Sequence, residues 1–285
     1  QMLRIHRRQP IAPVAAPRMK SEVLRQLIQR RLVELHLQVK QLAASQQEVA
    51  VAVESLESRL GKQNLTLAQH LERQRMTETE LRATLAWQIG WQRYLDRHLT
   101  ESNLKQYFKQ HVRDFDGTKM RVAHILFKCS LDAPAEKQVL LRERAGQLSR
   151  RIRQGEVSFA AAARRYSDAP TASQGGAIGV IQRNEPMPDA FARVAFMLQA
   201  GEVSGPVRTR FGMHLIQCLE VTPGSRKWSE VRSQVRESVT RYLFNWAADQ
   251  QSRTAQVVWT GVIPRPISAV EVDGTSERPE AIDSK

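Results

Sequence analysis

Two histidines stand in short apolar runs far apart in the chain: His124 within Val122-Ala123-His124-Ile125-Leu126, and His214 within Gly212-Met213-His214-Leu215-Ile216. Imidazole titrates nearest to neutrality of all side chains, and its two nitrogens can donate and accept at once. One histidine in an apolar strand is ordinarily a satisfied core residue. Two of them, on strands that open and close the same stretch of chain, point instead to a shared hydrogen-bonded site. Met187 and Phe191, four residues apart on a helix, would also ordinarily be core. Pro188, however, puts Met187 at the helix entrance, where pockets form. Cys129 and Cys218 are the only cysteines, and their spacing suits neither zinc nor a redox pair, so no metal or cofactor is predicted.

The elements that must position these groups change period part-way along. From Ser21 to Ala44 the apolar residues Leu24, Leu27, Ile28, Leu32, Leu35, Val39 and Leu42 recur at three and four, predicting an amphipathic helix. Ser45 with Glu48 and Thr77 with Glu80 have the spacing of capping boxes, and Gly61 suits a helix stop between them. A short helix is expected over 67–73. Thr100 caps a further helix carrying Leu104, Tyr107, Phe108 and Val112. After Gly117 a β-like run at 121–127 begins a region of mixed strands and helices, with Pro134 at the first turn of a helix running to Gly155. A strand over 213–220 closes it before the turn Pro223-Gly224. Trp228, Val231, Val235, Val239, Tyr242 and Trp246 then form a stripe that needs an apolar partner, and Val257-Val258-Trp259 could add a short strand. The fold class is α+β. The expected organisation is a basic disordered tail at 1–20, a helical domain at 21–116 and a mixed domain at 117–222. A C-terminal helix and short strand at 223–262 would pack on the helical domain, with a disordered tail at 263–285.

The chain carries 43 Lys+Arg against 29 Asp+Glu over 285 residues, a formal net charge of +14. Only the first nineteen residues are one-signed, through Arg4, Arg7, Arg8 and Arg18. Elsewhere the excess is spread out, as on a solvated basic surface, and no aromatic-basic platform for nucleic acid is present, so nucleic-acid binding is not expected. No run of apolar residues is long enough to cross a bilayer as a helix. The chain opens at Gln1 rather than Met, so a native start or signal peptide is expected to have preceded it.

The run from Lys119 to Glu220 resembles the parvulin family of peptidyl-prolyl cis/trans isomerases over a full domain length. The motifs are ordered: His124-Ile125-Leu126, Tyr166-Ser167-Asp168, Gly175-Gly176-Ala177-Ile178-Gly179, Met187 with Phe191, Gly201 to Val207, and Phe211-Gly212-Met213-His214-Leu215-Ile216. The resemblance implies a four-stranded antiparallel sheet surrounded by helices, with the two histidines side by side. It implies that Met187, Phe191, Ile178 and Phe211 contact substrate around a proline ring, above a cluster of His124, His214 and Thr209, with Asp168 at the catalytic edge. Such a site rotates an X-Pro amide, whose barrier is roughly 20 kcal/mol, by binding the twisted amide better than either planar form. No bond is broken.

Two departures from the family pattern matter. Ala169 stands where parvulins often carry Cys or Asp facing the substrate carbonyl, and Asp168 could replace that group only if its loop were shifted by one residue. The segment Lys128 to Pro134 also lacks the arginine pair with which phosphate-directed parvulins grip phosphoserine or phosphothreonine, so selection is expected to be independent of phosphorylation. The flanking helices are similar to those of SurA-like and PrsA-like foldases, which implies a chaperone module. Unfolded or nascent polypeptides with X-Pro bonds are then the partners and the cell envelope the compartment, against which unpaired cysteines argue mildly. The alternative is a polypeptide-binding chaperone whose isomerase is weakly active or inactive. The sequence carries no signal for oligomeric state.

Overall fold

The computed structural model describes residues 16–130, 133–184 and 187–255. The expected tails and the strand at Val257-Val258-Trp259 lie largely or wholly outside them. The described residues divide into two compact units, one of 16–104 with 236–255 and the other of 105–235.

The first unit is helical: α1 (Ala16–Val39), α2 (Gln46–Gly61), α3 (Leu67–Gln74), α4 (Glu78–His98) and the C-terminal half of α10 (Trp228–Ser252). Both expected capping boxes form, with Ser45 and Glu48 exchanging bonds at 3.2 and 2.8 Å and Thr77 and Glu80 likewise. Thr66 and Gln69 make a third. Helix α1 stops at Val39, short of Ala44: Gln41 adopts φ +56° and Leu42 N–H reaches back to Leu37 O at 2.8 Å, the geometry of a Schellman stop. Of the expected stripe, Leu32 and Leu42 are buried and Leu24, Ile28 and Leu35 half-buried, so the buried face of α1 follows it only in part. Val33, His36 and Leu37 are buried, whereas Leu27 and Val39 are exposed. Gly61 ends α2 without a left-handed turn. Asn64 takes that conformation at φ +56°, and Leu65 N–H bonds Leu60 O. Gly90 lets the end of α1 approach α4, since a Cβ there would stand 3.0 Å from Leu42 O.

The second unit holds an antiparallel sheet in the order β2-β1-β4-β3, formed by β1 (Lys119–Lys128), β2 (Ala177–Gln182), β3 (Val207–Thr209) and β4 (Gly212–Thr222). Around it lie part of α5 (Glu101–Gln110), α6 (Val112–Phe115), α7 (Ala135–Arg153), α8 (Phe159–Tyr166) and α9 (Asp189–Met197), with the first turns of α10. The single helix expected up to Asp114 is broken at His111, whose φ −122° and ψ 33° are not helical. Pro134 stands one residue ahead of α7, as its cap. The alternation of β1 and β4 builds two apolar layers. Ala123, Ile125, Phe127, Met213 and Leu215 pack with α7 and α8, while Met120, Val122, Ile216 and Cys218 pack with α9.

Candidate active site

His124 and His214 project from the two central strands into the layer covered by α9. Register puts Leu126 opposite His214 and His124 opposite Ile216, so the imidazoles are diagonal neighbours. Their Nδ1 atoms are 3.3 Å apart, and His214 Nε2 is 2.8 Å from Thr209 Oγ1, which also accepts the Phe211 N–H at 3.1 Å. The result is a buried polar line, Thr209–His214–His124. Two neutral arrangements complete it. Either His124 donates to His214, which donates to Thr209, or the Thr209 hydroxyl donates to His214, which donates to His124. Phe191, fully buried, sets its edge against both rings at centroid distances of 6.0 and 5.5 Å.

Burial disfavours charge on both imidazoles. Desolvation lowers the His124 pKa, and desolvation with the nearby His124 lowers that of His214 to about 4. The pair is therefore neutral at pH 7. Met187 and Ile178 are half-buried against the same layer as Phe191, and Phe211 is 47% exposed beneath the Arg210 guanidinium, 4.8 Å from its ring centre. Of the eight residues read from the sequence, the two histidines, Thr209 and Phe191 touch one another. Met187 and Ile178 pack around the same layer, and Phe211 lies on the hairpin turn.

Asp168 has another employment. Its carboxylate Oδ2 accepts the Lys128 N–H at 2.8 Å, its own N–H bonds Leu126 O at 2.7 Å, and Ser167 Oγ accepts the Leu126 N–H at 3.0 Å. These bonds fix the register of 167–169 along the end of β1, so the one-residue shift that would bring Asp168 to the position of Ala169 does not occur. Ala169 itself is 6% exposed. Close approach demands glycine at two nearby points. A Cβ on Gly176 (φ +81°) would stand 2.2 Å from His124 O, and one on Gly212 (φ +139°) 2.1 Å from Phe127 O.

A model of the rotamase family, the PPIC-type PPIase domain, matches residues 124–220. These residues are a parvulin-type isomerase domain. The chain is 29% identical over 211 residues to a protein named chaperone SurA from Xanthomonas euvesicatoria, covering 70% of this chain and 45% of that one. It is 28% identical over 163 residues to the putative peptidyl-prolyl cis-trans isomerase NifM of Azotobacter vinelandii, covering 55% and 56%. The chain thus spans about half the length of the curated relatives it matches. Among solved structures, the peptidylprolyl isomerase PrsA of Bacillus anthracis shares 18% identity over 84% of this chain and all of that one, with a TM-score of 0.38. A crystallised PpiC-type isomerase domain shares 28% identity over 39% of this chain and 98% of its own, at 0.35. The parvulin domain lies within helical regions, as expected.

Proposed function

We propose that the chain catalyses cis/trans exchange of X-Pro bonds in unphosphorylated, unfolded polypeptide, and that it acts as a foldase of the SurA and PrsA kind. The observation that carries this reading is the neutral Thr209–His214–His124 line under Phe191, with Met187 at the entrance of α9. Such a site holds a proline ring against apolar walls and offers the amide oriented, uncharged dipoles, which is what stabilising a twisted amide requires. His124, His214 and Thr209 orient one another beneath the ring, Met187, Phe191, Ile178 and Phe211 form its surroundings, and Asp168 positions the loop that carries Ala169.

Exchange NMR on an unphosphorylated Ala-Pro or Met-Pro peptide tests the proposal. Acceleration at micromolar protein is expected, with no gain from phosphoserine before proline. An uncatalysed rate would leave the reading of a chaperone with an inactive isomerase, which the apolar Ala169 favours. The cell envelope is the proposed compartment. Fractionation of the source cells tests it, and recovery only with cytosolic markers would overturn it.

A further inference from the structure

The wall of the site rests on α9, a helix of nine residues, or roughly 13 Å. Two adjacent residues of α6 reach its two ends. At the start of α9, Asp114 Oδ1 lies 3.2 Å from Arg183 Nε, within ion-pair reach but out of line for a hydrogen bond. The same guanidinium donates through Nη1 to Asp189 Oδ1 at 2.8 Å, and Asp189 is the first residue of α9. Beyond its end, Arg113 donates to Leu198 O at 3.0 Å and to Gln199 Oε1 at 2.9 Å. The Arg183 and Asp114 side chains are only 15% and 21% exposed, so that pair is little screened, whereas Asp189 stands 64% exposed. Phe115 anchors α6 in turn, buried beside Tyr107 and Phe108.

We propose that Arg113, Asp114 and Arg183 are positioning residues of the proline pocket, with α6 bracing α9 at both ends. The pocket wall is then set in part by a turn of helix that precedes the matched domain at 124–220. The inference rests on the reading of this site as a proline pocket. Phe191, Ala192, Ala195 and Phe196 bury the inner face of α9 regardless of the brace, so its loss should leave the domain folded. What it should change is the placement of Met187 and Phe191, and misplacement on the ångström scale is costly to catalysis.

The test uses the full chain, with Arg113→Gln, Arg183→Gln and the double variant. Amide exchange in α9, the Met187 methyl resonance, and kcat and KM on the Ala-Pro peptide are followed together. Exchange of α9 amides should quicken and kcat/KM fall, each about tenfold in the double variant, while amides of α7 and α8 stay as they were. Arg183→Lys, which can keep one ion pair, should recover most of the loss. Arg121→Gln, which breaks an exposed pair with Glu220, should change nothing at the pocket. Unchanged α9 exchange and unchanged Met187 resonance in the double variant would overturn the brace, as would equal loosening of α7, α8 and α9. If the parent chain shows no turnover, the functional reading fails, while the exchange and methyl measurements still decide the brace.

Discussion

The two units of the chain enclose apolar interiors of different kinds. In the isomerase unit, a sheet separates two layers whose central residues Ile125, Phe191, Leu215 and Ile216 have no exposed surface, and the buried polar side chains at its centre have directional partners, although Thr171 Oγ1, Arg183 Nε and Arg208 Nε nearer its edges make no hydrogen bond. Thr209 and His214 bond each other, and Ser149 Oγ donates to Ser204 O at 2.8 Å. The helical unit buries mostly aliphatic side chains, among them Val33, Leu37, Val53, Leu95 and Leu243, with a run of rings beside them. Trp87 stacks on Trp91, Trp91 on Tyr94, and His36 sits edge-on between Tyr94 and Trp246. Exposed apolar residues occur on both: Leu27, Val39 and Val51 are more than half exposed on the helical unit, and Val139, Leu140, Val180 and Met197 on the other. Directional bonds specify one ligand geometry, whereas apolar and aromatic surfaces hold many sequences weakly. The proposed division is between turnover of one bond type and retention of varied chains, and separate variants of each unit test it.

The largest effect should come from emptying the isomerase layer. Phe191→Ala removes a fully buried ring, which costs about 3–5 kcal/mol in a core that cannot collapse. Hydrogen exchange should report the loss in β1 and β4 and leave α4 unaffected. Leu243, 2% exposed in the part of α10 that belongs to the helical unit, supplies the reciprocal variant. Leu243→Ala should cost about 2–4 kcal/mol and appear in α4 but not in β1. If either change loosens both units equally, they do not fold separately and the contrast between them loses its meaning.

Acidity should separate the units next. The folded isomerase resists protonating His214, whose pKa lies near 4 against an ordinary 6.5, while the unfolded chain accepts the proton freely. Stability from this group is therefore complete above pH 6.5 and is lost as pH falls toward 4, by roughly 3 kcal/mol. His124 and His111, also lowered chiefly by burial, act in the same direction. Urea midpoints for β1 exchange should fall between pH 7 and pH 4.5, and His214→Phe should flatten that dependence. A profile that stays equally steep in this variant would assign the acid sensitivity elsewhere.

Much of this was legible in the sequence because it is local. A capping box occupies four residues, so Ser45–Glu48 and Thr77–Glu80 could be read without knowing the fold. The site was legible through ordered motifs, each set by a short-range demand such as the glycine that Gly176 must be. Helix ends and rotations were less so. The stop of α1 depends on a non-glycine residue, Gln41, entering the left-handed region, and its buried face depends on where α4 and α10 lie. The brace was invisible for the same reason, since Arg113 meets Leu198 across 85 residues of sequence. Only the fold makes them neighbours.

A smaller effect should divide the two proposed activities. Met187 is half-buried at the entrance of α9, so Met187→Ala trims the pocket wall with little loss of core. Turnover of the Ala-Pro peptide should fall about tenfold, equivalent to about 1.4 kcal/mol of lost transition-state binding. Suppression of aggregation of an unfolded client should persist, and should weaken only modestly with salt because apolar contact supplies the retention. Loss of suppression in this variant would place client binding in the isomerase pocket.

The smallest effect concerns Ala169, which offers no polar atom directly after Ser167-Asp168. Ser167 Oγ accepts the Ala169 N–H at 3.2 Å, and the bonds of Asp168 to β1 hold the loop on the other side. A side chain placed at 169 would therefore enter a fixed frame rather than shift it. Ala169→Cys adds one weak donor at a position only 6% exposed, and a buried thiol is tolerated there better than a carboxylate, which would need a partner. One added hydrogen bond to the rotating carbonyl is worth about 0.5–1.5 kcal/mol, so kcat/KM should rise about threefold to tenfold with little change in stability. Ala169→Asp should gain more turnover at neutral pH only if its carboxylate stays solvated, and should cost stability if it does not. A rise with Cys would identify the missing polar group as a limit on turnover. Unchanged rates in both variants would mean that the neutral histidine line and the apolar wall alone set the speed of this isomerase.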